Sequence, residues 1–205
     1  MTVAPSMRDV IQSERAEFLE RAVARVPADG WSMMMVQSVC QDLGQTANTF
    51  IALFPGGIED LVAAFSQMLD DKMMQALADV DPSSMRVRDR IETAVLTRLA
   101  QAEPYKDACR LALAYWSVPP RTLRAGRVVW RTADRMWQFA GDTATDYNRY
   151  TKRGLLVGVL TSTTLVWIKD RSPGHTATRQ FLNRRIENVL QLGQALGKLK
   201  PRPKS

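Results

Sequence analysis

Apolar residues recur along most of this chain at intervals of three and four, the spacing that gathers them on one face of a helix, and no stretch alternates as a half-buried strand would. The pattern predicts an all-α fold. A first helix is expected over about 13–26, where Phe18, Leu19, Ala22, Val23 and Val26 share a face, with Pro27 and Gly30 breaking it. A second starts at a serine N-cap, Ser32, and carries "MMMVQSVCQDL" to Gly44; a third covers about 46–53 and stops before "FPGG". The fourth, about 58–79, has Ile58, Leu61, Val62, Phe65, Met68, Leu69 and Leu77 as its stripe. Helices then follow over 84–102, over 105–116 after Pro104, and over 120–140 after "VPP", since proline is tolerated in a first helical turn. Gly141 ends the last of these. Thr143 with Asp146 forms a capping signal for a long helix to about 169, and "DRSPG" turns the chain into a final helix over 175–195.

Three short helices followed by longer ones give the layout of TetR-type repressors. The local pattern over residues 13–66 resembles that family: "GW", a Gly turn after an apolar-faced helix, a short helix ending "LF", then Pro/Gly, an acidic pair and "LV". The expected organisation is a disordered N-terminus at 1–12, a helix-turn-helix-like head at 13–56, a helical body at 57–195, and a disordered basic tail at 196–205.

Charge changes the picture of the head. Residues 1–84 carry five basic and twelve acidic side chains, and residues 85–205 carry twenty-three basic and nine acidic ones, so the two halves have opposite sign. Duplex DNA is held largely by Lys and Arg on phosphates. Between Pro27 and Phe65 there is neither, while Asp29, Asp42, Glu59 and Asp60 are negative. Gln45, Thr46, Asn48 and Thr49 of the would-be recognition helix could read bases only after backbone contacts had positioned them. Arg15, Arg21 and Arg25 offset part of this deficit. A TetR-type, ligand-responsive regulator therefore stays as the alternative reading, with DNA binding disfavoured.

Catalytic chemistry finds few candidates. The single histidine, His175, follows "SPG" at a helix start, and one histidine cannot supply the paired Glu-x-x-His ligands of a bundle di-iron site. Cys40 and Cys109 lack zinc or CxxC spacing, and no Gly-rich phosphate loop or nucleophile elbow is present. No enzyme, metal or cofactor is expected. No apolar run reaches 18 residues; "GLLVGVLTSTTLVWI" at 154–168 reads as a buried helix. The N-terminus shows neither a secretory nor a mitochondrial leader pattern, which suggests the bacterial cytoplasm, with peripheral attachment to the inner membrane as an option.

The basic half holds the functional candidates. In "RTLRAGRVVWRTADRMWQFAGD", Arg121, Arg124, Arg127, Arg131 and Arg135 fall along one side of a helix, either as a solvated face or as a contact for lipid head groups or an acidic partner. Met and Trp side chains fall on inward faces, and Phe65, Met68, Leu69, Trp130, Met136, Trp137, Leu155, Val159 and Trp167 are candidates to line a lipid cavity.

A second resemblance covers nearly the whole chain, from about residue 13 to 192. "LFPGGIEDLVAAF", "MRVRDRIETAV", "WRTADRMWQFAGDTATDYNRYTKRGLLVGV" and "FLNRRIENV" together resemble the Coq-nine family of ubiquinone (coenzyme Q) biosynthesis proteins, most specifically at Gly141–Arg153. The resemblance implies a TetR-like fold used for something other than repression: a homodimeric accessory protein that binds isoprenoid or other lipid and presents a quinone intermediate to the demethoxyubiquinone hydroxylase. It also implies a hydroxylase-contact patch at Asp142, Asp146, Asn148, Tyr150 and Arg153. Relatives often carry Trp between the Asn and Tyr of this run, where Arg149 stands here. Eukaryotic members add a membrane-docking amphipathic helix where this chain reads "KLKPRPKS", which moves the expected membrane contact to the arginine face or the basic tail.

Overall fold

The structure, a computed structural model, describes residues 6–142 and 147–198, and among them it contains helices and no strand. The helices are α1 (Met7–Asp29), α2 (Met33–Asp42), α3 (Ala47–Leu53), α4 (Ile58–Ala76), α5 (Val87–Ala102), α6 (Lys106–Trp116), α7 (Thr122–Phe139), α8 (Tyr147–Lys169) and α9 (Thr176–Lys198). Short 3-10 turns at Pro82–Ser84, Glu103–Tyr105 and Pro173–His175 take up the proline-bearing junctions. They account for the later starts of α5, α6 and α9 relative to the sequence expectation. The Thr143–Asp146 capping signal, together with residues 1–5 and 199–205, lies outside the described residues.

The N-terminal stretch departs from the expected disorder. Residues 7–12 are helical because Ser6 and Asp9 form a reciprocal capping box, the Ser6 hydroxyl accepting from the Asp9 N–H at 3.2 Å and the Asp9 carboxylate from the Ser6 N–H at 3.1 Å. This polar signal is invisible to apolar periodicity. Pro27 does not break α1 but sits in its last turn; the helix stops at Gly30, whose φ of 66° suits a residue without Cβ and whose N–H returns to the Val26 carbonyl at 2.8 Å.

Two compact units are present. The first comprises Met1–Asp71 and Ala102–Val128. Its core joins Phe18 of α1 to Phe50 and Phe54, with ring centroids 5.3–5.6 Å apart, and sets Phe65 of α4 against Trp31 at 5.4 Å and Tyr105 at 6.2 Å. The Trp31 indole donates to the Ala108 carbonyl at 3.3 Å, joining the start of the helix-turn-helix to α6. Ser32 and Thr46 cap α2 and α3.

The second unit comprises Lys72–Gln101 and Val129–Ser205. Its buried apolar positions include Ile91, Val95 and Leu99 of α5, Ala133 and Met136 of α7, Leu156, Val159, Leu160 and Trp167 of α8, and Leu182 and Ile186 of α9. At the α8–α9 corner the buried Asp170 carboxylate accepts from the N–H and hydroxyl of both Ser172 and Thr178, at 2.5–2.8 Å. The hydrogen bonds from the Ser172 and Thr178 hydroxyls hold this carboxyl far below its ordinary pKa. One acid thus orders the turn that sets α9 against α8.

Candidate functional site

Arg90 of α5 fixes the end of α7, donating to the carbonyls of Ala140 at 2.8 Å and Met85 at 2.9 Å. Gly141 follows with φ 79°, and a Cβ there would lie 3.3 Å from the Arg90 guanidinium, so both backbone and space call for glycine. Asp142 then turns back. It accepts from Lys152 at 2.7 Å and from Arg153 at 3.1 Å, and Arg153 also donates to Asp134. Burial pushes the Asp142 carboxyl upward, but the bonds from Lys152 and Arg153 outweigh it and hold the pKa below the usual range.

This brace revises the expected partner patch. Arg153 is 2% exposed and is spent on two carboxylates, and the Asp142 side chain is 6% exposed, so neither offers its charge to an incoming surface. Tyr150, 63% exposed, is presented outward with its ring 6.2 Å from that of Trp130. Arg149, at the position where relatives often carry Trp, lies 3.4 Å from Asp134. Asn148 lies in the first turn of α8, and Asp146 is outside the described residues.

Beside the brace lies an open groove of about 530 Å³. Its walls come from Val87, Arg88 and Ile91 of α5, Trp137 of α7, Lys152, Leu155, Leu156 and Val159 of α8, and Ile186, Val189 and Leu190 of α9. On α8 and α9 these are i, i+3 and i+4 positions, so two adjacent apolar stripes form one concave wall. Val87 and Leu190 remain substantially exposed at its edge. The Lys152 ammonium sits 5.4 Å from the Trp137 ring centroid.

Of the nine residues expected to line one lipid cavity, the structure brings Trp137, Leu155 and Val159 to this groove. Met136 and Trp167 are fully buried because their helix faces are closed by neighbours, and Trp130 is committed to Tyr150. Phe65, Met68 and Leu69 belong to the first unit, where Phe65 and Leu69 are core and Met68 lines a separate cavity of about 480 Å³ beside Glu20, Pro27 and Tyr105. Sequence reasoning missed Leu156, Ile186, Val189 and Leu190. The signal was present in α9, whose apolar positions are too regular for a helix with only a solvated outer face.

The arginine face is not the expected row of exposed cations. Arg121 precedes α7 and stacks over the Tyr115 ring at 4.0 Å, and Arg124 pairs with Glu59 at 3.4 Å and with Asp60. Arg131 and Arg135 are half-buried, and Arg127 is exposed. At the head, Arg15 donates to the Leu53 carbonyl and lies over Phe54, while Arg25 pairs with Asp42 at 2.6 Å. Of the three arginines that could have met phosphate, Arg15 and Arg25 are thus engaged within the head and Arg21 is exposed. Gln45 is half-buried; Thr46 caps α3 by accepting from the Thr49 N–H, and the two hydroxyls bond each other; Asn48 is exposed. No group of three His, Cys, Asp or Glu with metal-binding geometry occurs among the described residues.

Residues 123–193 match the family model described as COQ9. The chain is 28% identical to the mitochondrial ubiquinone biosynthesis protein COQ9 of Drosophila melanogaster over 91% of its own length and 58% of that protein's. The human counterpart is 28% identical over 89% of this chain and 59% of its own length. The chain thus spans a little under three-fifths of these relatives. In fold it is similar to a TetR transcriptional regulator from Nitrosomonas europaea ATCC 19718, with a TM-score of 0.69 at 17% identity, covering 87% of this chain and 99% of the other.

Proposed function

We propose, for a chain whose residues 123–193 match the COQ9 family model and whose all-α fold is TetR-like, the role of a non-catalytic, lipid-binding accessory protein of ubiquinone biosynthesis. The observation that carries this reading is the apolar groove, eight of whose eleven lining residues fall inside the matched segment. Aliphatic side chains of α8 and α9 shelter a polyprenyl tail from water, at a gain of about 25 cal/mol per Å² of apolar surface covered. The exposed Tyr150 ring, with the half-buried Trp130 ring 6.2 Å from it, forms the contact for a demethoxyubiquinone hydroxylase, and the Asp142–Arg153 brace holds that surface rigid beside the groove. An aromatic pair at a surface otherwise rich in charge is the composition of an interface anchor. The protein would work as a homodimer through α8 and α9, in the bacterial cytoplasm or peripherally on the inner membrane.

The TetR-type regulator remains the rival because the fold is shared. Against it stand the internal pairing of Arg15 and Arg25 and a head without cations from Pro27 to Phe65. The discriminating experiment is replacement of the chromosomal gene by Val159→Glu or Tyr150→Ala. The first should abolish copurified lipid and lower cellular ubiquinone; the second should retain lipid but lose hydroxylase association. Unchanged ubiquinone in both variants would overturn the reading.

A further inference from the structure

Resting on the lipid-binding reading, we infer that the groove selects a single-chain amphiphile whose head is an oxyanion, a carboxylate or a phosphate ester. Two cations, Arg88 and Lys152, stand among otherwise apolar lining residues, and no carboxylate lines the groove among the described residues. Arg88 is only loosely held. Its ion pairs to Asp89 and Glu187 are both 3.7 Å long, beyond hydrogen-bond range, and its buried Nε has no hydrogen-bond partner among the described residues. A guanidinium with an unsatisfied donor beside an apolar wall stabilises an oxygen acceptor that arrives with a greasy chain. Lys152 also lines the groove; its ammonium, a group with three donors, is bonded to Asp142 outside the lining and lies 5.4 Å from the Trp137 ring centroid.

Size sets the number of chains. A methylene is close to a liquid water molecule in volume, about 30 Å³, so a groove of about 530 Å³ holds roughly 15–20 carbons. That is one fatty acyl chain or a short prenyl chain. A two-tailed phospholipid or a long polyprenyl tail must extend past Val87 and Leu190, the exposed edge. From Lys152 to Val159, α8 advances about 10 Å, which lays the first carbons of the chain along Leu155 and Leu156 once the head has met the cations.

The test uses the full chain after lipid stripping, titrated below micelle-forming concentrations while tryptophan fluorescence is followed. Palmitate, geranylgeranyl monophosphate, hexadecanol and a two-tailed phosphatidylglycerol are the probes. Palmitate or the prenyl phosphate should bind at least tenfold more tightly than hexadecanol, and the tighter of the two identifies the source of the oxyanion. Arg88→Gln, which leaves the Asp142 brace intact, should cut that preference several-fold, and Arg88→Gln with Lys152→Gln should erase it while hexadecanol still binds. Equal binding of alcohol and oxyanion, or a preference that survives the double variant, overturns this inference and leaves lipid binding standing. Failure of all four probes also overturns this inference, whereas the lipid reading falls only if no lipid copurifies with the full chain.

Discussion

The helix-turn-helix face and the α8–α9 groove use their cations in opposite ways. At the head, Arg15 turns inward to a carbonyl and a ring, Arg25 is held at the surface by Asp42, and the outward positions of α2 and α3 hold neutral side chains such as Met34, Gln37, Asn48 and Ile51. At the groove, Arg88 and Lys152 stand at an apolar concavity that no described residue of the second unit fills. A shared fold thus says little about which surface does the work. The placement of a few charges separates a shape that could dock on phosphates from an apolar concave wall.

The contrast can be broken most severely at Arg153. Removing this buried guanidinium leaves Asp142 with Lys152 alone and Asp134 with Arg149 at 3.4 Å, so Arg153→Ala should cost about 3 kcal/mol in urea unfolding and loosen the surface around Tyr150. A smaller loss there would make the brace incidental. Val159→Glu comes next: a carboxylate placed on the groove wall should reduce lipid retained through purification at least tenfold, whereas Met34→Glu on the head should leave it unchanged. Tyr150→Ala should weaken hydroxylase association by about 1–2 kcal/mol, roughly tenfold in Kd, with no change in bound lipid.

Acid probes the α8–α9 corner. The Asp170 carboxyl is depressed in the folded state, so its contribution is complete above the ordinary carboxylate pKa of about 3.9 and fades as pH falls toward the lower folded-state value. Thermal unfolding should therefore show a steep loss below about pH 4 that Asp170→Asn flattens, while lowering Tm at neutral pH. The smallest effect belongs to the head. Arg25→Ala should change stability by about 0.5 kcal/mol, the scale of an exposed ion pair, because both partners are well solvated.

The helices were legible in the sequence because each buries a stripe, and Phe18, Leu61, Phe65 and Leu182 declare those stripes by spacing alone. Their ends were less so. α1 begins at Met7 through a Ser6–Asp9 hydrogen-bond pair, and α1 carries Pro27 within it, both local polar events that apolar periodicity does not report. The site was half legible. An apolar stripe predicts burial but does not say whether a neighbour or a void faces it, so Trp167 and Leu155 read alike while one is sealed and the other lines the groove. The arginine face misled for a related reason: helical angle places Arg124 on an outer side but is blind to Glu59 and Asp60, some 64 residues away, which take it up.

The most direct test of the central claim is native mass spectrometry of the full chain purified without detergent from cells that make ubiquinone. The account predicts a population heavier than the bare polypeptide by one amphiphile per chain, released by organic extraction and missing from Val159→Glu. Wild-type protein at the bare mass throughout, with nothing in the extract, would contradict it.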